Sequence, residues 1–164
     1  MVVPLASPVR SRPKRYEKTR PGELVHIDIK FLPALRNARY DFEFAAVDDF
    51  SREAVVWIAL DQTSASATVF LERVLKTLPY TVEAVLTDNA FAYRHSTAFR
   101  DAVTALGARQ KFIRPHCPRQ NGKAERFNRT LATEWAYRQP FTSNDQRTAA
   151  LAPWLEFYNT QRQH

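Results

Sequence analysis

Three acidic residues of this 164-residue chain sit where a surface charge alone does not explain them. Asp28 interrupts the apolar run LVHIDIKFL at 24–32. Asp88 closes Ala84-Val-Leu-Thr and is followed by Asn89. Glu125 lies in Asn121-Gly-Lys-Ala-Glu-Arg-Phe-Asn128, which reads as the first turns of a basic amphipathic helix. A carboxylate inside a strand is costly to desolvate unless something compensates it, and a divalent cation is a common compensator. Three such groups on neighbouring elements make a site for two magnesium or manganese ions about 3.5–4 Å apart, the arrangement that serves phosphoryl transfer.

Each carboxylate also has a plainer reading. Asp28 alone is a strand aspartate paired with a Lys or Arg. Asp88, in Thr-Asp-Asn at a strand end, makes a turn or a helix cap, although the carboxyl ends of parallel strands are where open α/β sheets place ligands. Glu125 alone is an exposed glutamate pairing with Arg129 one turn on. The poor helix formers Asn121 and Gly122 beside it argue that the backbone there serves something besides stability.

The rest of the chain has to bring two strand ends and one helix to a common place. Strand patterns cover 24–32, 40–48 and 54–60, with joins short enough for an antiparallel meander. In the first, a period of two puts Val25, Ile27 and Ile29 on one face and His26, Asp28 and Lys30 on the other. Helical spacing over 63–78 has Thr63 or Ser64 as N-cap and Pro79 as its stop. A short strand at 82–87, a helix from Ser96 or Thr97 to Leu106 ended by Gly107, and a strand at 108–113 follow. The next helix, 120–137, buries Ala124, Phe127, Leu131 and Trp135 and carries Glu125 at the border of that stripe. A last helix runs from Ser143 or Asn144 toward Tyr158. A three-strand meander followed by two β–α units predicts an α/β fold, a mixed five-stranded sheet flanked by helices in the ribonuclease-H-like order. Residues 1–20, with three prolines and six bases between Arg10 and Arg20, read as a flexible basic tail or linker, and 21–164 as one folded core.

Composition narrows the partners. An apolar share of 45% with 25% charged residues is that of a globular protein. No apolar run approaches the roughly 20 residues of a membrane span, and the N-terminus is no signal peptide, so no membrane partner is expected. The single Cys117 cannot form an internal disulfide and fits a cytoplasmic setting. Four scattered histidines build no zinc-finger spacing. The net charge is +7, and between Arg109 and Arg129 seven bases face one acid, Glu125. A polyanion, DNA, is the expected partner there, with Lys123 and Arg129 as the best-placed contacts and Asn121, Arg126 and Arg119 beside them. The plainer reading of these bases is solubility charge. His26 reads as a hydrogen-bonded structural histidine, and in Asp48-Asp49-Phe50-Ser51-Arg52 the side chains of Asp49 and Ser51 are expected to cap a hairpin turn, with Arg52 pairing locally.

The stretches H-I-D-I-K, V-D-D-F-S-R, T-D-N-A and R-P-H-C-P-R-Q-N-G-K-A-E-R-F-N-R-T-L resemble the catalytic core of DDE transposases and retroviral-type integrases. They are most like the insertion-sequence group around IS481 and IS3, and the likeness runs from about Pro21 to the C-terminus, including L-x-x-W-L-E-F-Y-N at 151–159. The resemblance implies a ribonuclease-H-like fold, two divalent ions, cleavage at the ends of an element, strand transfer into target DNA, and dimers or higher oligomers working on DNA in a bacterial cytoplasm. By motif position it puts Asp28, Asp88 and Glu125 in the three metal-ligand places. The sequence departs from the pattern by one extra residue between Asp88 and Glu125, expected around 95–97, by Ala90 where a Gly is usual, and by His116-Cys117. Ala90 would strain a turn that needed positive φ. Such transposases also carry an N-terminal helix-turn-helix region, for which nothing before Pro21 provides, so a catalytic core is the expectation. The alternatives are an inactive transposase remnant that binds DNA or a full-length transposase, and a ribonuclease-H-like nuclease, against which the N-G-K-A-E helix argues.

Overall fold

The computed structural model describes residues 17–35 and 39–163; most of the expected basic tail, residues 1–16, lies outside them. Three strands, β1 (Val25–Leu32), β2 (Asp41–Asp48) and β3 (Ala54–Ala59), form the antiparallel meander. Helix α1 (Ser64–Thr77) follows, capped by the Thr63 hydroxyl, which accepts from the Ser66 amide. Strand β4 (Ala84–Thr87) runs parallel to β1, and β5 (Arg109–Phe112) parallel to β4, giving a five-stranded sheet in the order β3-β2-β1-β4-β5. Between β4 and β5 lie a single turn, α2 (Phe91–Arg94), and α3 (Thr97–Ala105). Ser96 caps α3, and Gly107 leaves it at φ +72°, a conformation that costs a residue without a Cβ nothing.

The alternation of β1 divides the core as its sequence indicates. Val25 and Ile27 join Phe44, Phe70, Leu71, Val74, Phe99 and Val103 in a cluster against α1 and α3. On the other face Leu32, Ala45 and Val47 pack against Ala124, Phe127, Leu131 and Trp135. His26, Asp28 and Lys30 share this second face, so they look toward the helix that carries Glu125.

That helix is not the single run expected over 120–137. A 3-10 turn, Pro118–Asn121, leads into α4 (Gly122–Leu131), and a π-helical turn, Ala132–Ala136, ends it. The wide turn lets Trp135 and Ala136 both reach the core, and the Trp135 indole donates to the Arg147 carbonyl at 2.9 Å. The last expected helix is likewise two, α5 (Asn144–Ala149) and α6 (Leu151–Thr160). Pro153 has no N–H to offer the Ala149 carbonyl, and the ladder breaks there. Asn159 ties α6 to the edge strand, accepting from the Ala54 amide and donating to the Ala54 carbonyl, both at 2.9 Å.

Candidate active site

β1 and β4 pair with Val25 opposite Val85 and His26 opposite Leu86. Carrying that register two residues further leads to Asp28 on β1 and to Asp88, the residue that follows β4. Asp28 is 4% exposed, and its Oδ2 accepts from Asn128 Nδ2 at 2.8 Å while pairing with Lys30 Nζ at 3.0 Å. Burial pushes the Asp28 carboxyl above its usual range; Lys30 opposes that rise and the charge of Asp88 adds to it. Tyr93, fully buried behind the two strands, feels both aspartates: burial raises its hydroxyl, and the charges of Asp28 and Asp88 raise it further.

Glu125 is exposed on the first turn of α4. It lines a cleft of about 410 Å³ together with Lys30, Glu43, Asn128 and Arg129. Burial would lower the Lys30 ammonium, but the hydrogen bond to Asp28 and the charges of Asp28, Glu125 and Asp88 outweigh it and hold its pKa above the ordinary value. One lysine thus senses all three carboxylates. Among the described residues no three His, Cys, Asp or Glu side chains converge closely enough to cage an ion. The donor chemistry nevertheless fits magnesium or manganese: the three candidates are hard carboxylate oxygens, and one of them is a buried anion only partly compensated by its neighbours.

A second polar network runs beside the first. His26, 3% exposed, meets Asn121 Oδ1 through Nδ1 at 3.0 Å and Asp49 Oδ1 through Nε2 at 2.8 Å. Asp49 Oδ2 receives Lys123 Nζ at 2.6 Å and the Lys18 amide at 3.1 Å, and Lys123 also donates to the Asp49 carbonyl. Although burial works against it, hydrogen bonds from His26, Lys123 and Lys18 hold the Asp49 carboxyl well below the carboxylate range. Of the two residues expected to cap the hairpin turn, Ser51 does, its hydroxyl accepting from the Glu53 amide at 3.2 Å, and Asp49 does not. Asp48, not Asp49, accepts from the Phe50 and Ser51 amides and the Ser51 hydroxyl, because its side chain folds back over the turn while Asp49 turns inward to His26.

Two family models described as integrase core domain match the chain, one over residues 18–118 and one over 106–164. The chain belongs to the integrase core family. It is 34% identical over 159 residues to an uncharacterized 39.2 kDa protein of insertion element IS476 from Xanthomonas euvesicatoria, covering 96% of this chain and 45% of that protein. It is 33% identical over 146 residues to a 31.7 kDa protein of insertion element IS407 from Burkholderia multivorans, covering 88% of this chain and 51% of that one. The chain therefore spans about half the length of these relatives. Among solved structures it resembles a chain of the simian T-cell lymphotropic virus intasome, with a TM-score of 0.75 at 23% identity over 95% of this chain and 55% of that one. It also resembles the HTLV-2 integrase catalytic core domain, solved in complex with magnesium, with a TM-score of 0.68 at 19% identity over 87% and 89% of the two chains. The fold of this integrase core is ribonuclease-H-like, as the order of its elements predicts.

Of the departures from the family pattern, Ala90 is accommodated without strain, whereas His116 takes a left-handed φ of +59°. Ala90 has φ −57°, so the turn after Asp88 needs no glycine, and its amide donates to Asp88 Oδ1 at 2.9 Å. Residues 95–97 span the join of α2 to α3, in the connection between β4 and β5. Of the bases read as DNA contacts, Arg119, Arg126 and Arg129 are exposed. Asn121 is buried on His26, and Lys123 is 23% exposed with its ammonium on Asp49, so the structure turns these two inward.

Sequence reading left Glu43 aside. It is the cross-strand partner of Lys30, is 3% exposed, and its Oε1 has no hydrogen-bond partner. Burial pushes its carboxyl up to about 8, with the charge of Asp28 adding and Lys30 and Arg147 opposing. The signal was available: Glu43 alternates with Phe42 and Phe44, in the way Asp28 alternates with Ile27 and Ile29.

Proposed function

We propose that this integrase core is the catalytic part of a DDE-type transposase, cutting DNA phosphodiesters and transferring strands with divalent metal. The observation that supports this reading is the parallel register of β1 on β4, which extended leads to Asp28 and to Asp88 just past β4, with Lys30 drawn by both and by Glu125. Asp28, Asp88 and Glu125 would hold two magnesium or manganese ions, which when bound supply an activated water or 3′-hydroxyl and a stabilised leaving oxygen. Asn128 holds Asp28 in one orientation from a position three residues beyond Glu125 on the same helix. Arg119, Arg126 and Arg129 present charge to the phosphate backbone, whereas the Lys123 ammonium is engaged by Asp49. Because two element ends must be joined in concert, the working unit is a homodimer or higher oligomer on DNA, in the bacterial cytoplasm.

The rival reading, an inactive remnant that binds DNA or a full-length transposase, draws on the lack of a converged ion cage among the described residues. One assay separates the two. The protein and its Glu125→Gln variant are incubated with manganese and branched DNA resembling a strand-transfer product, which asks little of end recognition. Nicking or joining by the parent and not the variant supports catalysis. Equal silence from both, with manganese failing to raise the parent's melting temperature, supports the remnant.

A further inference from the structure

We infer that Asp49 is a positioning residue that fixes the place of Glu125 relative to Asp28. The inference rests on the three-carboxylate reading above. Strand β1 and the helical segment at 118–131 are cross-linked by two side-chain hydrogen bonds. His26 meets Asn121 at 3.0 Å, and Asp28 meets Asn128 at 2.8 Å. On the strand the two anchor points are two residues apart, about 7 Å, and on the helix seven residues apart, about 10 Å. Glu125 lies between the helix anchors, four residues after Asn121 and three before Asn128, so both cross-links set its height above the strand.

The second clamp is direct, but the first is only as firm as His26. An imidazole at 3% exposure keeps one orientation only if both ring nitrogens are satisfied, and Asp49 Oδ1 holds Nε2 at 2.8 Å. The same carboxylate takes Lys123 Nζ on its other oxygen, and Lys123 is two residues from Glu125. Asp49 itself is held by the β1–β2 side, its amide donating to the Leu24 carbonyl at 2.8 Å. One buried carboxylate thus grips the first turn of α4 twice, once through Asn121 by way of His26 and once through Lys123. Its contacts are with the groups that orient the site, and it contributes no ligand to it.

The test is manganese affinity of the metal-free protein, read by the electron paramagnetic resonance signal of free Mn²⁺, for the parent, Asp49→Asn and Asn121→Ala. Branched-DNA turnover is measured on the same preparations. Asp49→Asn keeps the shape and an oxygen for His26 but removes the anion that Lys123 needs, and Asn121→Ala cuts the His26 link without touching Asp49. Both are expected to weaken manganese binding by about 10–100-fold, the usual effect of removing a group that orients a ligand. Turnover is expected to lower kcat while leaving the KM for DNA unchanged. Parent-like affinity and kcat in both variants, with only a lower melting temperature, would make the network purely structural and overturn the proposal. A raised KM at unchanged kcat would make Lys123 and Asn121 DNA contacts and overturn it equally. If the parent and Glu125→Gln bind manganese alike, the three-carboxylate reading falls and this inference with it; if they differ while Asp49→Asn matches the parent, only the positioning role falls.

Discussion

Replacing Glu43 with Gln should flatten the pH dependence of stability. Glu43 is buried against Lys30 and Asp28, with its carboxyl near 8 against an ordinary 4.5. A folded-state pKa raised above the unfolded value means that the native state holds a proton the unfolded chain has released. The stabilisation is complete below the unfolded pKa and is lost as pH rises toward the folded one. Across most of the range from about pH 5 to pH 7.5 stability falls with rising pH, by about 2–3 kcal/mol from pH 5 to pH 7. For a chain of this size that is about 5–10 °C in melting temperature. Glutamine has nearly the same shape and no charge to desolvate, so this share of the slope should vanish. Urea or thermal unfolding of parent and variant without divalent metal, at half-unit steps from pH 5 to 7.5, gives the difference directly. Asp28, Asp41 and Glu53 also carry raised carboxyls, but they are common to both proteins and cancel. Parallel profiles would refute the reasoning and mean that Glu43 is ionised in the fold, with the Lys30 ammonium turned onto it rather than onto Asp28.

Other perturbations test the remaining links. Asp28→Asn should keep the fold and lose the manganese-induced rise in melting temperature, with metal-free stability unchanged or higher because a buried anion is removed; a fall of many degrees would make its pairing with Lys30 structural. Arg129→Ala should weaken binding to duplex DNA of any sequence and reduce the log–log salt slope by about 0.9, measured by fluorescence anisotropy between about 50 and 200 mM salt; an unchanged slope would assign Arg129 to solubility. Asn159→Ala should cost about 1–3 kcal/mol in urea unfolding, since it strips two hydrogen bonds from the Ala54 backbone; a smaller loss would mean that water replaces them.

The fold was largely legible because its signals are local. Three alternating runs, a Thr63 cap, a Ser96 cap and Gly107 each act within a few residues, and each appears where the pattern indicates. What failed was helix continuity. The π-turn at 132–136 answers to the packing of Trp135 against the Arg147 carbonyl, a partner twelve residues on, and apolar spacing cannot announce it. The division of α5 from α6 was legible in Pro153, whose position inside a helical pattern went unused.

The candidate site divides along the same line. Period and motif point to Asp28, Asp88 and Glu125, and the parallel register of β1 on β4 sets the first two at the same level of the sheet. How their charge is balanced depends on contacts spanning most of the chain: Asn128 reaches Asp28 across 100 residues and Lys123 reaches Asp49 across 74. The three bases and two amides around Glu125 look alike in composition, as polar groups on a basic helix, yet the fold sends Asn121, Lys123 and Asn128 inward and leaves Arg126 and Arg129 outside. The difference has a physical cause. The helical period sets Asn121 and Asn128 beside the buried stripe of Ala124, Phe127 and Leu131 and Lys123 at its border, and turns Arg126 and Arg129 to the far side. Beside the carboxylates, the inward groups serve better as fixed partners than as mobile ones, and on the function proposed above the outward arginines are the ones that meet DNA.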